Sequence, residues 1–143
     1  MTGTSYKVPA YPVAAGQDIP KEDWVIIERM PVKSLVTFPA NATNLDGRTT
    51  EVRGHAWSGD RSINKVEISI DFGATWMDAE LDAPVSKGAW QNWRASVTFP
   101  KKGYYEVWAR ATDSDGVMQP FAIAWNAKGY LNNTMHRVGL RVS

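Results

Sequence analysis

The chain has 143 residues, a formal net charge of +1, no cysteine and seven tryptophans. Its length suits one domain, and its near-neutral charge excludes a strong field for nucleic acid or anionic lipid. The lack of cysteine excludes disulfides, thiolate nucleophiles and cysteine-ligated metals, and no apolar run approaches the ~18 residues that span a bilayer.

The first 31 residues show little hydrophobic periodicity. They contain four prolines, each of which fixes the backbone and removes a hydrogen-bond donor: Pro9, Pro12, Pro20 and Pro31. We expect residues 1–31 to form an extended arm or linker, followed by a separate domain over residues 32–143.

From residue 32 onward, the sequence is typical of short strands separated by Gly, Asp, Pro and Asn. The clearest alternation is in INKVEISID, where Val66, Ile68 and Ile70 share one face while Lys65 and Glu67 share the other. The pattern predicts about seven strands, at residues 32–39, 50–57, 63–71, 76–81, 90–100, 104–113 and 136–142. With helical periodicity nearly absent, it favours an all-β sandwich of the immunoglobulin kind, without the Cys–Trp–Cys pattern of antibody domains.

A hairpin motif stands at residues 69–76, SIDFGATW. It matches the Asp-box of propeller proteins, but the chain holds only one copy where a propeller needs several. We interpret it as a structural turn in which Asp71 bonds nearby backbone, Gly73 takes a positive φ and Trp76 covers the bend.

The remaining polar residues offer no convincing catalytic constellation. His55 and His136 have no neighbour at a metal-ligand spacing, so we expect each to make a structural hydrogen bond. His136 and the adjacent Arg137 are kept as weaker binding candidates. DSDG at residues 113–116 lacks the further oxygen ligands of a calcium loop and is interpreted as a plain turn.

Four segments together resemble the C-terminal domain of the sulfite oxidase family of molybdopterin oxidoreductases. They are RGHAWSG at 53–59, the hairpin at 69–76, ARATDSDG at 109–116 with QP at 119–120, and WNAKGYLNN at 125–133 with HRV at 136–138. The resemblance extends over roughly residues 6–142. The family includes sulfite dehydrogenases, plant nitrate reductases and bacterial sulfur-oxidising dehydrogenases.

The resemblance implies an immunoglobulin-like (E-set) dimerisation domain that is not catalytic by itself. In the family, a separate catalytic domain holds molybdenum–molybdopterin through a cysteine, which this chain lacks. We therefore expect the chain to be a fragment of an oxidoreductase, with no cofactor of its own, and residues 1–31 to resemble the linker from the catalytic domain. Met1 would then be an internal residue or an artificial start.

The resemblance also assigns a role to Lys128. Animal and plant sulfite oxidases have arginine at this position, and it reaches into the anion pocket of the catalytic domain. Lysine would supply a point charge for sulfite or another sulfur oxyanion, where arginine supplies a planar fork. Trp125 and Asn126 belong to the same motif, and Gly129 would let the backbone approach the catalytic domain closely.

Partners and location follow from the resemblance alone. We expect a homodimer or a pair with a cytochrome c subunit, cytochrome c as electron acceptor, a bacterial source and a periplasmic location. No nucleic-acid or membrane partner is expected.

Two other function classes stay open at this point. A free-standing carbohydrate- or protein-binding module would use Trp57, Trp90 and Trp93 as exposed stacking platforms. An autonomous enzyme has little support, because the sequence supplies no nucleophile–base pair.

Overall fold

The computed structural model describes residues 6–126 and 128–143. Within these residues the strands are β1 (Lys7–Pro9), β2 (Trp24–Ile26), β3 (Lys33–Phe38), β4 (Thr43–Leu45), β5 (Thr49–Trp57), β6 (Ile63–Ser69), β7 (Met77–Asp78), β8 (Glu80–Leu81), β9 (Gln91–Thr98), β10 (Gly103–Asp113) and β11 (His136–Val142). A 3-10 turn, Lys21–Asp23, precedes β2. No helix in this part of the chain is long and apolar enough to cross a membrane.

Two sheets form a sandwich and confirm the predicted all-β fold. One has five strands in the order β4-β11-β10-β6-β7, and the other has four in the order β3-β5-β9-β8. Neighbouring strands are antiparallel except β11 and β4, which run parallel. The core lies between the sheets and includes Val52, Ile68, Val97, Val107 and Leu140.

Strand alternation explains which side chains form this core. Val52, Gly54 and Ala56 of β5 are buried, whereas Arg53 between them is exposed. The same alternation holds in β9, where Trp93 is only 1% exposed. Trp93 therefore cannot be a stacking platform for a sugar, and that expectation was wrong.

Gly54 makes room for the Trp93 indole. A Cβ atom at Gly54 would overlap the Leu35 carbonyl oxygen and lie 2.5 Å from a Trp93 ring atom. Any larger residue would separate β5 from its neighbours, so the glycine in RGHAWSG is explained by packing.

The arm is more structured than an extended segment. Strands β1 and β2 pair antiparallel, with Lys7 opposite Ile26 and Pro9 opposite Trp24. The Ala10 N–H also donates to the Asp23 carbonyl at 2.9 Å, which continues the pairing beyond Pro9. These strands have three residues each, too few for alternation to reveal them.

Candidate functional site

Asn126 shapes the loop that carries Lys128. Its Oδ1 accepts the Lys128 N–H at 2.9 Å, and its Nδ2 donates to the Tyr130 carbonyl at 3.2 Å. Its carbonyl accepts the Gly129 N–H at 3.1 Å, and Gly129 has a φ of 67° that favours glycine. Ala127 lies outside the described residues. One asparagine side chain thus fixes the backbone on both sides of the lysine.

The Lys128 side chain extends towards the arm. Its Nζ lies 5.2 Å from the centroid of the Trp24 ring, within the range of a cation–π interaction. The neighbouring Trp125 and Tyr130 instead line a separate groove against residues 8–12. Tyr130 also lies 6.0 Å from the Tyr6 ring, centroid to centroid.

Three lysines meet where the arm faces this loop. Lys7 of β1, Lys21 of the 3-10 turn and Lys128 line a hollow of about 440 Å³ together with Trp24. We call this the lysine hollow. Its described lining contains no carboxylate, so its electrostatic character favours anions.

His136 and Arg137 do not join this group, since neither is among the described residues that line the lysine hollow. His136 Nδ1 accepts the Val36 N–H at 3.0 Å. Burial, followed by the charge of Lys33, lowers the pKa of His136. Arg137 points to the other face of β11, where its guanidinium lies 4.4 Å from the Trp108 ring centroid.

The hairpin at residues 69–76 closes on Asp71. Its carboxylate accepts the Thr75 N–H at 2.9 Å, the Thr75 hydroxyl at 2.6 Å and the Ser69 hydroxyl at 2.7 Å. The Thr75 and Ser69 bonds lower the pKa of Asp71 to about 2. Gly73 has a φ of 84°, and the Trp76 indole donates to its carbonyl at 3.0 Å. These contacts all lie within the turn.

Cationic side chains stack on aromatic rings on the outer face of the five-stranded sheet, with Arg110 over Trp76 and Arg137 over Trp108. Arg110 donates to Glu67 at 2.9 Å, and its guanidinium lies 3.8 Å from the centroid of a Trp76 ring. Glu67 also pairs with Lys65 at 2.8 Å. The sequence pattern placed Glu67 on the polar face, yet this cover leaves it buried. Burial alone would raise the pKa of Glu67, but the bonds from Arg110 and Lys65 outweigh it and lower the pKa.

Gln119 is a buried polar residue to which the sequence analysis gave no role. Its Oε1 accepts the backbone N–H groups of Ser34 and Ala111, and its Nε2 donates to the Thr134 carbonyl at 2.8 Å. It thereby links β3, β10 and the segment before β11. The QP at residues 119–120, part of the segments that resemble the family, was the sequence signal that could have identified Gln119.

The chain's own residues do not fit a molybdenum site. There is no cysteine to supply a thiolate, and the described residues contain no group of three His, Cys, Asp or Glu side chains that could hold a metal. Asp113 of the DSDG segment instead accepts the N–H groups of Asp115 and Val117, both at 3.0 Å. The Gly116 N–H also donates to the Asp113 carbonyl at 3.0 Å, so this segment forms the turn that its sequence predicts.

Comparison with known proteins gives the same family as the sequence motifs. The Mo-co oxidoreductase dimerisation domain model matches residues 24–143. Mitochondrial sulfite oxidase of Rattus norvegicus is 32% identical over 81% of this chain and 23% of the relative. Sulfite oxidase of Gallus gallus is 35% identical over 78% of this chain and 26% of the relative.

Plant relatives match over a similar part of the chain. An inducible NADH nitrate reductase of Glycine max is 31% identical over 82% of this chain and 15% of the relative. The chain thus spans about a quarter or less of these curated relatives.

Solved structures support the fold. The sulfane dehydrogenase SoxCD of Paracoccus pantotrophus superposes with a TM-score of 0.70 at 24% identity, over 92% of this chain and 33% of that one. A CARDB domain from Pyrococcus furiosus gives a TM-score of 0.51 at 16% identity, over 82% of this chain and 97% of that one. With the family model matching from Trp24 to the last residue, the chain belongs to the Mo-co oxidoreductase dimerisation domain family.

Proposed function

We propose that this chain is the dimerisation domain of a sulfite-oxidase-like enzyme, in which Lys128 adds positive charge to the substrate anion pocket. Sulfite or a related sulfur oxyanion would be the substrate, and molybdenum–molybdopterin would be held by another domain of the same protein. The observation that carries this proposal is the position of Lys128, in a turn organised by Asn126 and at the edge of a cationic hollow.

The chemistry of the substrate class supports this role. Near neutral pH, sulfite is a mixture of monoanion and dianion, and binding it in a partly desolvated pocket requires fixed positive charges. The Asn126 turn fixes the lysine backbone, so the ammonium group searches a limited volume before the anion binds.

The test is sulfite-dependent cytochrome c reduction by the full-length protein that contains this chain. Lys128→Gln removes one charged hydrogen bond to the anion, and kcat/KM for sulfite should fall about 10- to 100-fold. Lys128→Arg keeps the charge and should retain most of the activity. Lys87→Gln, an exposed lysine outside the lysine hollow, is the matched control. Equal kcat/KM in all four proteins would remove Lys128 from the pocket.

We further propose self-association as a homodimer, with a cytochrome c subunit as the alternative partner. Support comes from an apolar patch on the outer face of the four-stranded sheet, where Met30, Leu35, Trp57 and Trp90 surround a hollow of about 350 Å³. Trp90 is 64% exposed and stacks on His55 at 5.3 Å, centroid to centroid. Such patches commonly mark interfaces.

Sedimentation equilibrium of the chain tests this proposal. We expect a dimer, and Trp90→Ser should shift the equilibrium towards monomer. Lys101→Gln should leave it unchanged, since Lys101 is exposed and is not among the described residues that line this hollow. A monomer at all concentrations that forms a one-to-one complex with a cytochrome c subunit would support the alternative partner.

A further inference from the structure

We infer that Lys7 and Lys21 of the arm act with Lys128 as one binding site for a divalent oxyanion. All three lysines belong to this chain, and the arm is part of the site. The inference rests on the proposed function only in taking the anion to be of the substrate's class, a sulfur oxyanion.

The geometry of the arm brings these residues together. Pro9 lies opposite Trp24 in the pair formed by β1 and β2, and Lys7 is two residues from Pro9 along β1. Residues two apart on a strand share a face, so Lys7 and Trp24 are diagonal neighbours on one side of this small sheet. Lys21 enters from the 3-10 turn just before β2, and Lys128 from the loop across the hollow.

The charge of the hollow differs from that of the chain as a whole. The chain has a formal net charge of +1, yet three of its lysines line this one hollow. Elsewhere, Lys65 is paired with Glu67 and Asp78, and Arg94 with Glu80 and Asp82. Within the described residues, neither Lys7 nor Lys21 forms an ion pair. Three lysines around one hollow, with no carboxylate in its described lining, are an arrangement that a small dianion would complete.

The dimensions and donors suit a hydrated tetrahedral or pyramidal oxyanion. The hollow of about 440 Å³ accommodates a small anion together with bridging water. The ammonium groups of Lys7 and Lys21 each offer up to three N–H donors, Lys128 adds a third positive charge, and oxyanions of this class offer three or four acceptor oxygens. Trp24 supplies an apolar wall that reduces the local dielectric and strengthens these bonds.

The experiment is a calorimetric titration of the full 143-residue chain with sodium sulfate, at an ionic strength held constant with sodium chloride. The wild-type chain should bind one sulfate. Lys7→Gln and Lys21→Gln should each weaken binding about tenfold, because each removes a charged hydrogen bond. Lys7→Arg and Lys21→Arg keep the charge and should bind within about twofold of wild type. Lys87→Gln and Lys101→Gln are the controls and should match wild type.

The outcomes separate this inference from the proposed function. No sulfate binding by the wild-type chain, or binding lost only in Lys128→Gln, would overturn the inference. If all three lysines contribute to sulfate binding but Lys128→Gln leaves sulfite kinetics of the full-length protein unchanged, the anion site stands and the proposed function fails. If Lys128→Gln impairs sulfite turnover while Lys7→Gln and Lys21→Gln have no effect on sulfate binding, the proposed function stands and the inference fails.

Discussion

Positively charged side chains have different surroundings in the sandwich and in the lysine hollow. On the outer face of the five-stranded sheet, Arg110 has a carboxylate partner in Glu67 and an aromatic partner in Trp76. In the lysine hollow, Lys7, Lys21 and Lys128 line the same space beside Trp24, and the described lining has no acid. Partners within the chain make the first region a source of stability, whereas we propose that the second receives an anion from outside.

This contrast separates positive charges that maintain the fold from those that serve binding. A cation whose partners are all in the chain is costly to disturb, because its partner remains buried and unsatisfied. A cation facing like charges adds little to the stability of the fold, so its position needs another explanation. Substitutions in the two regions should therefore differ in their effect on the free energy of unfolding.

The largest effect is expected at Gln119, the buried amide that joins the two sheets. Gln119→Ala leaves the N–H groups of Ser34 and Ala111 without their side-chain acceptor and should lower the free energy of unfolding by ~3 kcal/mol. Urea denaturation at pH 7 measures this change. Gln17→Ala is the control, since Gln17 accepts one exposed N–H from Ala14 at 3.0 Å. Equal changes at the two glutamines would show that burial of the amide does not matter.

The second-largest effect is expected at Glu67, which is compared with Glu80. Both form cross-strand pairs with an arginine at the same nitrogen–oxygen distance. Glu67 lies opposite Arg110, and Glu80 lies opposite Arg94, each pair at 2.9 Å. The Glu67 and Arg110 side chains are 11% and 19% exposed, while those of Glu80 and Arg94 are 74% and 51% exposed.

Glu67→Gln should therefore lower the free energy of unfolding by ~2 kcal/mol, because it leaves Arg110 poorly compensated at a partly buried site. Glu80→Gln should change it much less, since exposed pairs are screened by water. Urea denaturation of both variants at pH 7 checks the difference. If Glu80→Gln costs as much as Glu67→Gln, the Trp76 cover adds nothing to the Glu67 pair.

The fold was predictable where strands are long and one face is apolar. Strands β5, β6, β10 and β11 each have at least seven residues, and alternation located all of them. The three-residue strands β1, β2 and β4 are too short for alternation to reveal them. The sequence could have placed Trp93 in the core, because Ala95 and Val97 share its face while Asn92, Arg94 and Ser96 lie on the other.

The sequence identified only part of the candidate site. The motif around Lys128 singled out that residue and Asn126. Lys7 and Lys21 lie more than 100 residues away along the chain, and nothing local marks either one. Only the pairing of β1 with β2 places them beside the loop, and a pairing between such short strands depends on tertiary packing rather than on local sequence.

A smaller effect is expected at His136, whose ring accepts the Val36 N–H. His136→Ala should cost ~1 kcal/mol at pH 7.5, because that N–H loses its partner. His136→Asn, whose Oδ1 can take the place of Nδ1, should recover most of this stability.

The same residue should also make stability depend on pH. Because the pKa of His136 is lowered in the fold, the unfolded chain takes up the proton first, and stability falls as the pH drops below about 6.5 towards the lowered value. His136→Asn should flatten the curve in that window. His55 is present in both proteins, so its contribution cancels in the difference. Parallel curves for the two proteins would mean that His136 does not titrate differently in the folded and unfolded chains.

The smallest change in stability is expected in the lysine hollow. Lys21→Gln should alter the free energy of unfolding by less than about 0.5 kcal/mol, with any gain confined to low salt, where repulsion among the lysines is least screened. Sulfate should then separate the variant from wild type. A bound ion stabilises the folded state by mass action, in addition to the general stabilisation that sulfate gives any protein.

Urea denaturation in sodium sulfate and in sodium chloride, at matched ionic strength, measures this difference. Lys87→Gln should show the full sulfate effect of the wild-type chain, and Lys21→Gln only the general part. If Lys21→Gln instead destabilised the chain in chloride as much as Glu67→Gln does, Lys21 would be part of the network that maintains the fold. The contrast between the two regions would then be lost, since Lys21, like Arg110, would contribute to the stability of the fold.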